Sequence, residues 1–263
     1  MNFSKILKVC SGTPIPAKPH ALSGEYSVRD RSYVVLDKVR FVLGSRTVIP
    51  HLSLSLRERR IGIIGSNGSG KSSLLRLIHG LAQPTQGCIT TLGLNTRTDL
   101  KKLPSRVGFL FQNPDRQIIF PTVGEEIAFG FEERGMTRVE AKSKAGQWLD
   151  RYGKRDWLER CVHELSDGQR QLVCMIAVIA LEPSLILLDE PFASLDLRTR
   201  LAFADHLDAL SQPLIMASHD FAFLKRFDRI IWLEDGRIRA DGSPKRVLAL
   251  YHAAALSQAG TLP

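Results

Sequence analysis

Residues Gly65-Ser66-Asn67-Gly68-Ser69-Gly70-Lys71-Ser72 fit the spacing G-x-x-x-x-G-K-[ST], which average composition produces by chance in about 1 in 100 chains of this length. The apolar run Ile61 to Ile64 leads into the loop and reads as a buried strand. Behind it, Leu74, Leu75 and Ile78 recur at helical spacing over Ser72 to His79, and Gly80 supplies the stop. A glycine loop between a buried strand and a helix has a specific chemistry. Backbone N–H groups can converge on phosphate oxygens where no side chain intrudes. The helix that follows points its positive end at the same anion. Lys71 can reach the β- and γ-phosphates, and the Ser72 hydroxyl can ligate Mg²⁺. Gly65 to Ser72, with Ser73 beside them, are therefore the candidate nucleotide contacts.

The rest of the chain is consistent with an α/β domain. Leu52 to Leu56 alternates like a half-buried strand, and Val107 to Phe111 reads as another strand. Thr122 to Arg151 is mostly helical in pattern, interrupted near Gly135. Gln169 to Leu181 is apolar nearly all round, as a buried helix would be. Leu185 to Leu188 and Leu214 to Ala217 suit central parallel strands. Arg229 to Leu233 and Arg237 to Ala240 read as a late hairpin. Such alternation predicts a mainly parallel sheet. Residues 1–30, with Pro14, Pro16 and Pro19, are expected to be a disordered extension.

Bulk properties narrow the partners less. A net charge of +9 suits nucleic acid, anionic lipid or an acidic protein surface, and equally a generally basic protein. Cys10, Cys88, Cys161 and Cys174 are scattered, without C-x-x-C spacing, and are expected to be small core residues in a reducing compartment. No His/Cys cluster points to metal binding. The longest apolar run, Leu172 to Leu181, is about half a membrane span. A membrane role would therefore need a partner.

A second set of candidates follows the loop. Leu185-Ile186-Leu187-Leu188-Asp189-Glu190 places two carboxylates at the end of a buried strand, where α/β folds bind ligands. Acidic strand ends are also common without function, so the pair gains weight from the glycine loop. Asp189 would hold Mg²⁺ through its water shell, and Glu190 would act as general base on a water. Gln112 and His219 each follow a predicted strand, where glutamine can sense Mg²⁺ and water and histidine can bond a γ-phosphate.

In that order, Gly65–Ser72, Gln112, Leu165-Ser166-Asp167-Gly168-Gln169, Leu185–Glu190, Ser194-Leu195-Asp196 and His219 resemble the Walker A, Q-loop, signature, Walker B, D-loop and H-loop of ATP-binding cassette (ABC) ATPases. The resemblance covers about residues 34–250. It implies a P-loop NTPase of α/β class with a RecA-like lobe, an antiparallel β lobe and a helical lobe at about 113–168. The cassette would span 31–250, with 251–263 a short tail. Two cassettes would enclose two ATP molecules. Ser166, Gly168, Gln169 and Asp196 would then serve the ATP of a second ABC subunit, a copy of this chain or a paralogue.

Two residues depart from the family pattern. Asp167 stands where the signature has a glycine. A unit negative charge about 6 Å from the γ-phosphate would cost roughly 3 kcal/mol at an effective dielectric near 20. Asp167 is therefore expected to face away and pair with a basic group. Leu43 occupies the place of the aromatic that stacks on adenine, and would cover the base by apolar contact.

Phe111-Gln112-Asn113-Pro114-Asp115-Arg116-Gln117 and Pro121-Thr122-Val123-Gly124-Glu125-Glu126-Ile127-Ala128-Phe129-Gly130 look like the ATPases of energy-coupling factor (ECF) importers. Glu58-Arg59-Arg60-Ile61-Gly62-Ile63-Ile64-Gly65 and Phe227 to Arg237 are most similar to the biotin systems, with cobalt or nickel systems next. The resemblance implies a transmembrane T subunit as partner, an S component indirectly, and a peripheral place on the cytoplasmic face of the membrane. No nucleic acid is expected, although soluble ABC ATPases acting on DNA or ribosomes, and cassettes of other transporters, stay open.

Overall fold

A computed structural model describes residues 32–193 and 195–259, so the extension expected at 1–30 lies outside the described residues. The chain forms two compact units. One comprises Leu110–Pro183 with Ala193–Phe203, the other residues 32–109, Ser184–Phe192 and residues 204–259.

The second unit contains an antiparallel sheet of β1 (Val34–Leu43), β2 (Arg46–Leu56), β4 (Gln86–Thr91) and β5 (Leu94–Asn95), in the order β2-β1-β4-β5. A second sheet runs β10-β9-β3-β8-β7-β6, with β3 (Arg60–Ile64), β6 (Val107–Leu110), β7 (Leu185–Asp189), β8 (Leu214–Ala217), β9 (Arg229–Glu234) and β10 (Arg237–Gly242). β3 pairs in parallel with β8 and β9, and β7 with β8. Every residue of β3, β7 and β8 is buried. That explains their unbroken apolar runs, since a parallel strand covered on both faces has no polar side. Helix α1 (Lys71–His79) packs on β4, β7 and β8. Gly80 ends it in the left-handed conformation at φ 89°, a usual role for glycine.

The helical unit contains α2 (Val123–Glu132), α3 (Arg138–Arg151) and α4 (Asp167–Ala180). Thr122 caps α2, and Thr137 and Glu140 form a reciprocal capping box on α3. Between them Gly135 turns at φ 89°, at the interruption expected from the sequence. Ser166 and Gln169 cap α4 in the same reciprocal way. The helix consequently begins two residues before the expected Gln169. The boundary placed at 168 falls inside it.

The chain continues through α5 (Leu197–Ala209), α6 (Phe221–Leu224) and α7 (Pro244–Ala259). The boundary placed at 250 falls inside α7, because Tyr251 packs edge-on against Trp232 and Phe221 and helix continues past it. Among the described residues, no helix is long and apolar enough to cross a membrane. Of the cysteines, Cys174 is buried, Cys161 is half-buried and Cys88 is exposed. Cys88 corrects the expectation of core residues, since it lies on the outward run Gln86-Gly87-Cys88 of β4. Cys10 lies outside the described residues.

The Glu58-Arg59-Arg60 approach to the glycine loop has a structural role. Buried Arg60 donates to the carbonyls of Leu207 at 2.9 Å, Gln212 at 2.6 Å and Leu210. It thus satisfies carbonyls that the end of α5 leaves open, and its charge meets the negative end of that helix. Glu58 pairs with Arg229 at 3.0 Å, and Arg229 grips Asp241 through two bonds of 2.6 and 2.7 Å.

His79 is fully buried against Phe109, with Nε2 3.2 Å from the Val107 carbonyl oxygen. Burial pushes its pKa down to about 4. The unfolded chain therefore binds a proton here below its ordinary pKa near 6.5, while the native chain does not. Stability at this site is complete above pH 6.5 and falls as the pH drops toward 4. Between pH 7 and pH 5 the site should remove about 2 kcal/mol. In urea titrations, the stability of wild type relative to His79→Phe should fall by that amount between pH 7 and pH 5. A pH-independent difference would contradict the burial effect.

Candidate functional site

The site in the strand-rich unit is assembled at the C-terminal ends of β3, β7 and β8. Gly65 follows β3 at φ 149°, and a Cβ there would stand 2.0 Å from the Leu233 carbonyl oxygen. Only glycine fits, so the loop can run close under the sheet. Gly70 caps α1 with no side-chain bond to its open N–H groups. Ser69 Oγ is buried without a partner. These are open donors around a cradle, and an anionic phosphate fits them.

Lys71 is buried at the start of α1. Its Nζ donates to the carbonyl oxygens of Gly65 at 2.7 Å and Ser66 at 3.1 Å, and lies 3.4 Å from His219 Nε2. Burial lowers its pKa, opposed by the charges of Glu190 and Asp189. Ser72 Oγ donates to Asp189 Oδ1 at 2.9 Å. Two adjacent hard oxygen donors suit Mg²⁺, which prefers a few protein oxygens and keeps several waters. Burial raises the Asp189 pKa, against the Ser72 bond and the charges of Arg76 and Lys71.

Glu190 takes a left-handed backbone at φ 49°, uncommon for a residue with a side chain. Its N–H bonds the Ala217 carbonyl at 2.9 Å. Its Oε2 accepts the His219 N–H at 3.2 Å, and His219 Nε2 lies 3.4 Å from its Oε1. Burial again raises the pKa, opposed first by the bond from the His219 N–H. A raised carboxylate pKa suits a general base. Burial and the Lys71 charge lower the His219 pKa, which disfavours the protonated ring.

Near this loop, Leu43 ends β1 and is 64% exposed. Arg46, paired with Leu43 across the hairpin, donates from Nη2 to the Gly68 carbonyl at 3.3 Å. Sequence reasoning missed Arg46, because a separation of 22 residues carries no periodic signal.

In the helical unit, Gln112 is exposed. Ser166 Oγ accepts the Gln169 N–H at 3.3 Å, while Gln169 Oε1 accepts the Ser166 N–H at 3.1 Å. Gly168 lies in the first turn of α4. Asp167 pairs with Arg170, the basic partner expected for it. Asp196 caps α5, with its two oxygens accepting from the Thr199 N–H and hydroxyl, each at 2.9 Å. Ser194 lies outside the described residues. The fold also brings Cys161, His163 and Glu164 donor atoms within 4.8 Å of one another. The sequence reading found no such cluster, and Arg160 already lies 3.5 Å from Glu164.

Residues 50–193 match the family model described as ABC transporter. The biotin transport ATP-binding protein BioM of Rhodobacter capsulatus is 50% identical over 215 residues, covering 81% of this chain and 92% of that protein. BioM of Rhizobium etli is 37% identical over 208 residues, covering 79% and 92%. Among solved structures, CbiO1 from Clostridium perfringens, described as part of the ABC transporter complex CbiONQ, aligns with a TM-score of 0.71 at 25% identity, covering 84% of this chain and 92% of that one. The dimeric cassette MJ0796 bound to ADP and Pi aligns with a TM-score of 0.73 at 25% identity, covering 80% and 98%.

Gly65→Ala should destabilise the protein by at least about 3 kcal/mol, as expected where a side chain meets backbone at a positive φ that side chains rarely adopt. Thermal melting and titration with a fluorescent ATP analogue would check this. An unchanged melting temperature with intact binding would contradict the close approach to Leu233.

Proposed function

The chain belongs to the ABC transporter family and is an ATP-binding ABC ATPase, and from that premise we propose that it powers an ECF-type importer, with biotin as the cargo. The carrying observation for its chemistry is the convergence of Lys71, Ser72, Asp189, Glu190 and His219 at three buried strand ends. The cargo reading is supported by the 50% identical biotin transport relative. Residues 31–250 are read as the cassette and about 113–168 as its helical lobe.

ATP lies with its phosphates over Gly65 to Ser73, and Leu43 covers the adenine. The Lys71 ammonium leaves the Gly65 and Ser66 carbonyls for the β- and γ-phosphate oxygens. Ser72, Asp189 and Gln112 would hold Mg²⁺, which supplies charge neutralisation on the phosphates. Glu190 accepts a proton from the water that attacks the γ-phosphorus, and the bond to the β-phosphate oxygen breaks. His219 donates a hydrogen bond to a γ-phosphate oxygen. Gln112 orients the attacking water.

The chain carries one such set, so its signature residues act on a neighbour. Ser166, Gly168, Gln169 and Asp196 contact the ATP held by a second ABC subunit, either a copy or a paralogue. A transmembrane T subunit receives the movement, and an S component binds the cargo. The chain sits peripherally on the cytoplasmic face of the membrane, without nucleic acid. ATP drives closure of the pair because it binds the closed state more tightly.

Replacing Glu190 by Gln should lower ATP turnover by at least about 100-fold, in the range for loss of a general base, while ATP still binds. Turnover within threefold of wild type would exclude the assigned base. Cells expressing the chain with its membrane partners should accumulate radiolabelled biotin in an ATP-dependent manner. Uptake of cobalt or nickel instead would move the cargo to the runner-up, and uptake of none of these would overturn the ECF reading.

A further inference from the structure

Phe111 and the segment after Gln112 are bound to the signature helix at three points, all within the helical unit. Gln171 Nε2 donates to the Phe111 carbonyl at 3.3 Å. Gln117 Nε2 donates to the Cys174 carbonyl at 3.2 Å, while Gln117 Oε1 accepts the Phe111 N–H at 3.2 Å. The third point is ionic. Arg170 Nε lies 3.5 Å from Asp115 Oδ1, and Asp115 belongs to the 3-10 turn Pro114–Arg116. The same guanidinium pairs through Nη2 with Asp167 and lies 3.4 Å by Nη1 from the Leu165 carbonyl oxygen.

One guanidinium thus hydrogen-bonds two groups, Leu165 and Asp167, and stands in ion-pair range of a third, Asp115, toward which its Nε makes no hydrogen bond. Two of them, Leu165 and Asp167, flank Ser166 in the signature. The third lies on the segment that follows Gln112. The Arg170 side chain is only 22% exposed, whereas Asp115 and Asp167 are 66% and 73% exposed. The arginine is thereby fixed by its surroundings, while the carboxylates belong to two different elements. Arginine suits this arrangement because its planar fork offers donors in several fixed directions. A glycine at 167 would remove one edge of the contact. On this geometry, Asp167 supplies an anchor.

We propose that Arg170 is a positioning residue, which with Asp115 and Asp167 forms a latch that ties the placement of the signature to the segment after Gln112. Displacement of residues 113–117 displaces the first turn of α4, and with it Ser166 and Gly168. The proposal rests on the signature serving a neighbour's ATP. It adds which side chains set the signature in place.

A double-mutant cycle tests the latch on the purified full chain in its ATP-hydrolysing assembly. Both carboxylates are exposed, so Asp115→Asn and Asp167→Asn are suited to leave the fold intact, which melting temperatures verify. Each is expected to lower kcat at least threefold while KM for ATP changes less than twofold. The double variant is expected to match the lower single variant, because either change opens the same latch. Arg170→Lys should recover part of the activity lost in Arg170→Gln, since an ammonium keeps the charge but lacks the fixed fork that reaches Leu165 and both carboxylates together. Unchanged kcat in the single variants, or effects that multiply in the double variant, would overturn the latch. Those outcomes leave Glu190-dependent hydrolysis by the wild type intact. Failure of the underlying ATPase reading would instead appear as wild-type turnover insensitive to Glu190→Gln.

Discussion

A lysine ammonium held away from water at the end of a buried parallel sheet is the constraint on which the rest depends. Burying a charge without compensation is expensive. Here the loop turns two carbonyls onto Lys71, at 2.7 and 3.1 Å, and two carboxylates stand nearby at the end of β7. That arrangement is possible only if the backbone passes under Leu233 with no Cβ at residue 65. The sheet order follows from the same need, since β3, β8 and β7 must lie side by side to deliver Lys71, His219, Asp189 and Glu190 to one edge.

Much of this was legible in the sequence because it rests on local signals. The fold class, the family and the ATPase activity read from motif order agree with the family match. Runs such as Leu185 to Leu188 show buried parallel strands directly, since both faces are covered. Thr122, Gly135 and Gly80 mark helix ends by chemistry that acts within four residues. The Asp167 partner lies three residues along a helix, the separation at which side chains meet.

What was not legible depends on long-range geometry. β1 loses its alternation because its pairing shifts register near Lys38, which is left-handed at φ 48° opposite Gly87 of β4, itself at φ 80°. β4 begins with three exposed residues, so no apolar pattern announces it. The left-handed Glu190 and the contact of Arg46 with Gly68 have no signature in residue spacing. In the sequence the Glu58-Arg59-Arg60 run carries only a family likeness, yet Arg60 closes the end of a helix about 150 residues later.

The most direct test of the central claim is calorimetric titration of the full chain with ATP and Mg²⁺, comparing wild type with Lys71→Ala. If the buried ammonium is held for phosphate, the wild type binds and the variant loses at least about 100-fold in affinity, near 2.7 kcal/mol, while its melting temperature without nucleotide does not fall. Binding by Lys71→Ala within threefold of wild type would contradict the account.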